Sequence, residues 1–224
     1  MSVIQQNDLI ESVAEAFVRI NRVCPPDYEQ ALRTAATREQ NPKRRDAVHG
    51  YLTECLSEKK EGELIASEPD MAVVFMRVGQ DVHWSGFTGS LQESVSEGIG
   101  RACAEFSLSS PSRDDALPSS RFTAGRSVPV FIHWELVPGE QVQLTVAARS
   151  GQDESKTRLL MKDPQESIAD SVLAQLNELR ESFRFPFVLG IGVGGTAENA
   201  VLTARECLND PLNMAELLDR GPQT

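Results

Sequence analysis

Residues 187–201 read FVLGIGVGGTAENAV, and the reading of this stretch decides which fold the chain has. Gly190, Gly192 and Gly195 satisfy G-x-G-x-x-G, with an apolar run before them and an alanine-rich helical pattern after them. A dinucleotide fingerprint needs more: it opens a parallel βαβ unit, and an acidic residue ending the second strand takes the ribose hydroxyls. Only 29 residues follow Gly195, NDPLNMAELLDRGPQT carries no second strand pattern, and Asp210 falls in a polar turn. The sequence therefore argues against a dinucleotide site. What survives is a tight strand-to-helix turn whose glycines permit positive φ and close backbone approach, and whose helix N-terminus offers N–H groups to an anion. A turn that merely packs closely satisfies the same pattern.

Working outward, PQESIADSVLAQLNELRESF predicts a helix with Ile168, Val172, Leu176 and Leu179 on its buried side, and TRLLMKD reads as a further strand. VPVFIHWELV and QVQLTVAAR are two alternating strands around Pro138-Gly139-Glu140, with Val142, Leu144 and Val146 on one face. Residues 107–127 are a long polar loop. Leu91, Val95, Ile99, Cys103 and Phe106 recur at helical spacing. MAVVFMRV (71–78) is a strand, Gly79-Gln80 offers a turn, and DVHW can return as a second strand. The first sixty residues read as helices: Asn7 or Asp8 capping a face of Leu9, Ile10, Val13, Phe17 and Ile20; a second starting near Pro26; a third opened by Asn41 and Pro42, with Val48, Leu52, Cys55 and Leu56 as its stripe.

The formal net charge of -11 excludes the basic footprint that nucleic acid or an anionic membrane surface requires. No apolar run is long enough to span a bilayer, and MSVIQQNDLIESVAEAF has acidic residues where a secretory signal would be basic, so the expected location is cytoplasmic. Cys24, Cys55, Cys103 and Cys207 are scattered, with neither a C-x-x-C pair nor histidine at metal-ligand spacing, and read as small buried apolar side chains. His83 and His133 are the acid/base candidates, each within a strand pattern.

CPPDYEQALRTAATREQNPKRR, AVVFMRVGQDVHW, IHWELVPGEQVQLTVAA, GIGVGGTAENAVLTA and DRGPQT together resemble the α region of class I fumarate hydratases and tartrate dehydratases, in the family's order over almost the whole chain. The resemblance implies an α+β fold with helices packed around mostly antiparallel strands. It implies one domain over 1–224, with a helical part at 1–62 and an α+β part at 63–224. In that family an iron–sulfur (4Fe–4S) cluster held by three cysteines acts as Lewis acid in the reversible hydration of a dicarboxylate, and arginines and backbone amides clamp the anion.

The departures from the family fall on chemistry. Where the family reads P-L-C-Q-D-T-G, this chain has LIASEPD, so Ala66 stands at a cluster cysteine and Ser67 and Glu68 at the substrate-contacting Gln and Asp. Where the family has C-P-P, FRFPFVLG places Arg184 or Phe185 near the cysteine and keeps Pro186. The remaining family cysteine falls downstream of residue 224. The G-G-G-S-E-N loop appears as SGQDES, retaining Gly151 and Glu154. With Arg113 of the polar loop and Gly194, Gly195 and Thr196 of the glycine turn, these are the substrate contacts that the resemblance implies. No cofactor is expected in this chain alone. Phe183, Phe185 and Phe187 stand ready to fill the vacated cavity. The expectation is a degenerate, non-catalytic or partner-dependent relative, as a homodimer or in association with an intact hydro-lyase subunit. Its alternatives are an active hydro-lyase with ligands from another chain and a small-dicarboxylate-binding module.

Overall fold

The computed structural model describes residues 3–57, 64–65, 69–105, 128–163, 165–179 and 187–213. It has an α+β fold. Two compact units divide it, one from Met1–Pro25 and Ser57–Gly151, the other from Pro26–Leu56 and Gln152–Thr224.

The first unit contains β1 (Val3–Gln5) and α1 (Gln6–Arg22); the second opens with α2 (Pro26–Arg38) and α3 (Pro42–Leu56). The chain then returns to the first unit through β2 (Met71–Gly79), β3 (His83–Ser85), α4 (Leu91–Glu105), β4 (Val130–Val137) and β5 (Val142–Arg149). In β2, Ala72 to Met76 are all buried, so both faces of the strand are covered, which an unbroken apolar run favours over alternation. It lies at the centre of a sheet ordered β4-β2-β5, parallel to β4 and antiparallel to β5.

Two strand expectations are corrected. β4 and β5 flank β2 and do not pair with each other, and β3 pairs in parallel with β1 (Ile4↔Trp84) rather than returning against β2. Two of the three pairings among the described residues are parallel, against the mostly antiparallel arrangement expected. For β4 and β5 the reason is local. The end of β2 runs beneath the 138–141 turn, where Gly79 N–H donates to the Gln141 carbonyl (2.8 Å), Gln80 N–H to Val137 (2.9 Å) and Asp81 N–H to Gly139 (3.0 Å). A Cβ on Gly79 would strike the Gly139 carbonyl, and Gly139 itself takes φ +107.

Alternate residues of β2 (Ala72, Val74, Met76) meet Leu9, Val13 and Phe17 of α1 and Val95, Ile99, Ala102 and Cys103 of α4 in one core. Burying each of the larger side chains contributes about 1.5–3 kcal/mol. α1 and α4 approach closely because Gly98 has no side chain: its Cβ would lie 2.7 Å from the Ile10 carbonyl oxygen. Buried Ser94 is satisfied, its hydroxyl accepting from Gln6 Nε2 and donating to the Ser90 carbonyl, both at 3.1 Å. Contrary to expectation, α1 has Gln5 at its N-cap without a side-chain cap; Asn7 donates to Glu11 instead, and Ile20 is exposed. α4 has a reciprocal cap, with Ser90 N–H donating to Glu93 Oε2 (2.7 Å) and Glu93 N–H to Ser90 Oγ (3.1 Å).

In the second unit, Leu32 and Ala36 of α2 pack on Val48 and Leu52 of α3, with Tyr28 edge-on to Tyr51. Asn41 Oδ1 caps α3 by accepting from Lys43 N–H (3.0 Å), as its sequence indicates, though Leu56 is exposed. Further along lie α5 (Gly151–Glu154), α6 (Ile168–Glu178) and α7 (Ala197–Cys207). TRLLMKD forms no strand, and Met161 is 89% exposed. On α6, Val172, Leu176 and Leu179 are only half-buried and Ile168 is exposed, so its apolar stripe is not a core face. No helix among the described residues is long and apolar enough to cross a membrane.

Adding a methyl at Gly98 should cost about 1–3 kcal/mol by overpacking. The same change at Gly50, inside α3 with open space around it, should stabilise by about 0.5–1 kcal/mol. Urea midpoints at unchanged m-value measure both. The Ser90 N–H and hydroxyl hold the Glu93 carboxyl below its ordinary value of 4.5. That contribution is present above the unfolded value and lost as pH falls through the lower folded one. Glu93→Gln should therefore flatten the acid side of the stability curve.

Candidate functional site

The candidate site residues are distributed along α7 and around α5. Gly194 and Gly195 adopt φ +86 and +73, a left-handed pair that turns the chain into α7. Thr196 is the N-cap, its hydroxyl accepting from Asn199 N–H at 3.2 Å. Its hydroxyl and the backbone N–H of Glu198 also serve the Glu198 carboxylate; the backbone bond is the stronger of the two influences holding that carboxyl below its usual range. The N-terminal turn of α7 thus carries its own anion.

Gly190 and Gly192 do different work. A Cβ on Gly190 would strike the Ala204 carbonyl, and one on Gly192 the Ala200 carbonyl. Two residues of extended chain span about 6.6 Å and four helical residues about 6 Å, so the segment runs alongside α7 with alternate glycines set against successive turns. Residues 187–193 form no strand among the described residues, which corrects the strand-to-helix reading, and no strand comes after α7 there.

Glu154 does not join the glycine turn. Its carboxylate is ion-paired with Arg205 in the last turn of α7, both side chains half-buried. Nine residues separate Arg205 from Thr196, about 13 Å along a helix axis, so these two candidates occupy opposite ends of α7. Gly151, at the start of α5, donates its N–H to Asp70 Oδ2 at 2.7 Å, and Ser150 Oγ reaches the same oxygen at 3.4 Å. Asp70 and Arg205 were missed in the sequence. A cationic residue in a last helical turn is a visible signal, but its acidic partner is not. Arg113, Ala66, Ser67, Glu68, Phe183, Arg184, Phe185 and Pro186 lie outside the described residues; Phe187 is 37% exposed.

Among the described residues, no three His, Cys, Asp or Glu side chains gather as a metal-binding group. Cys103 lies fully buried in the α1/α4 core, where burial pushes its thiol up, away from the thiolate that a metal requires. Cys55 is buried in α3, while Cys24 and Cys207 are half-buried, Cys207 donating to the Ala204 carbonyl at 3.2 Å. His83 is exposed on β3, and His133 stacks on Phe75 with centroids 5.1 Å apart.

Residues 10–220 match the sequence model of the family described as fumarate hydratase (Fumerase). A curated protein of Methanocaldococcus jannaschii, called a putative L(+)-tartrate dehydratase subunit alpha, is 22% identical over 202 residues, covering 88% of this chain and 70% of that relative.

Thr196→Ala should cost about 1 kcal/mol and raise hydrogen exchange at the Asn199 amide, whose acceptor it removes. Gly192→Ala should cost about 1–3 kcal/mol, because neither the segment nor α7 can yield to the added methyl without moving backbone. Denaturant unfolding compares the two.

Proposed function

Because the chain belongs to the fumarate hydratase (Fumerase) family, we propose that it is a hydro-lyase-like subunit of the cytoplasm that holds no iron–sulfur cluster of its own and is non-catalytic or dependent on a partner. The observation that carries this reading is where the cysteines lie: Cys103 and Cys55 are committed to cores, and the described residues bring no three metal-ligating side chains together around any of the four. The substitution of Ala66 at a family ligand position supports it from the sequence, since a methyl group cannot ligate iron. The name of the archaeal relative, a subunit alpha, supports a role within an assembly.

In the family the cluster supplies a Lewis acid for the departing hydroxyl. Without it, this chain's groups offer binding and proton transfer only. The Gly194–Gly195 turn and Thr196 present backbone amides at the start of an 11-residue helix, a setting that favours a carboxylate. This favours the dicarboxylate-binding module as second reading, opposed by the Glu198 carboxylate already there.

Anaerobic purification and then iron and sulfide reconstitution test the proposal. The expected protein is folded, colourless and free of stoichiometric iron, and converts neither fumarate, malate nor tartrate when alone. A stoichiometric cluster with hydratase activity from the isolated chain would overturn it. Thermal shifts with dicarboxylates examine the second reading, because a ligand at 100 times its Kd stabilises the native state by about 2.7 kcal/mol.

A further inference from the structure

The second unit gathers positive charge at one end of a helical pair. Residues 39–41 alone join α2 to α3, and so short a connection makes the packed helices antiparallel neighbours. The last turn of α2 and the first turn of α3 therefore share an end. Arg38 lies in that last turn and Lys43, Arg44 and Arg45 in that first one. The one carboxylate within residues 38–45, Glu39, accepts the Asn41 N–H at 2.8 Å. At the other end are Asp27 and Glu29 of α2 and Glu54 of α3. Residues 26–56 hold five Lys or Arg and five Asp or Glu, so charge is separated along a neutral helical pair while the net charge of -11 falls elsewhere in the chain.

Local stability does not account for this arrangement. A cation in a first helical turn faces the positive end of the helix dipole, and α3 has no acidic residue there to offset it. Arg33 pairs with Glu29 at 2.7 Å, whereas Arg38, Lys43 and Arg45 are exposed and form no ion pair among the described residues. The amides at this helix start are also engaged: Asn41 Oδ1 accepts from Lys43 (3.0 Å) and Arg44 (3.3 Å), and the Asn41 carbonyl from Arg45 (2.9 Å). Apart from Glu39 and Arg44, residues 37–47 are all exposed, so the cations stand on an open surface rather than around a cavity.

We propose that this end of the α2/α3 pair docks an acidic segment of a partner protein, a run of Asp and Glu that engages Arg38, Lys43 and Arg45 together. Charge complementarity selects the occupant. One exposed ion pair is worth little, so a lone carboxylate or phosphate gains no hold, whereas several carboxylates on one chain keep one another in place. A nucleic acid duplex carries a charge every 1.7 Å or so and reaches far past the patch, where a chain of net charge -11 repels it. A short acidic segment ends within the patch. Such exposed cations govern the association rate and the choice of partner more than the affinity.

Docking here is independent of whether the chain binds a cluster or a dicarboxylate. Fluorescence anisotropy of the full chain with fluorescein-labelled decaglutamate reads it. Binding at about 20 mM salt should weaken roughly tenfold or more by about 150 mM. Lys43→Gln/Arg45→Gln should weaken low-salt binding roughly tenfold, with far-UV circular dichroism unchanged and Tm unchanged or raised, since it removes cations from a helix start. Arg77→Gln/Arg101→Gln alters the net charge equally but within the first unit, and should leave binding unchanged. No binding at low salt, or equal weakening by the two double variants, would overturn the proposal. Tighter binding of inorganic phosphate or of single-stranded DNA through the same residues would do so too. A change in the sedimentation of the chain alone on Lys43→Gln/Arg45→Gln would assign the surface to a second copy instead and overturn it as well.

Discussion

The sheet depends on the approach of two backbones at Gly79. The short turn 138–141 has to join strands that are not neighbours, with β2 lying between them, and it can do so only if the end of β2 passes directly beneath it. The missing side chain at Gly79 allows this approach, and the bonds from residues 79 to 81 onto the turn hold it. Once β2 is so enclosed, both its faces are sheltered, and the apolar residues from Ala72 to Met76 have a place to go. The parallel pairing with β4 then requires a crossover, which α4 supplies while covering one face. Gly98 permits α1 to lie against α4 and complete that layer. Two glycines thus set the spacing within which the apolar residues pack.

Much of this was legible in the sequence as elements and faces. The stripes Leu9–Val13–Phe17 and Val95–Ile99–Cys103 sit in the core that their spacing implies, and Asn41 caps α3 as read. Topology was not legible, because period two tells which side of a strand is apolar and nothing about which strand lies beside it. VFIHWELV and VQLTVAAR around a Pro-Gly turn carry every local signal of adjacent strands, and only a tertiary contact at Gly79 separates them. The reading of TRLLMKD failed for a related reason: a strand exists through its partner, and none among the described residues pairs with it. On α6 the spacing specified a stripe correctly but could not specify that something covers it.

The glycine motif shows how one pattern serves two constraints. Gly190 and Gly192 are small so that an extended segment can lie on α7, whereas Gly194 and Gly195 are glycines because the chain turns through positive φ. A cofactor fingerprint uses glycines for both purposes as well, which explains the superficial match. The distinction lies beyond the helix: a dinucleotide fold continues into a second parallel strand, and among the described residues no strand comes after α7. The individual roles of the four glycines could not be assigned from the sequence, since each depends on the path of α7 beside them.

Groups that could hold an anion are already engaged by carboxylates of the chain itself. Among the described residues, groups suited to a carboxylate include the Gly151 amide in the first unit and, in the second, the first turn of α7 and the Arg205 guanidinium. Each has a carboxylate of this chain upon it, from Asp70, Glu198 and Glu154 respectively. An incoming dicarboxylate would gain only the difference between its own bonds and those it displaced, and would meet the released carboxylate at close range. In a chain with net charge -11 that repulsion has few cations to offset it. Within the second unit the Glu154–Arg205 pair ties α5 to α7, and in doing so it engages a guanidinium suited to an anion.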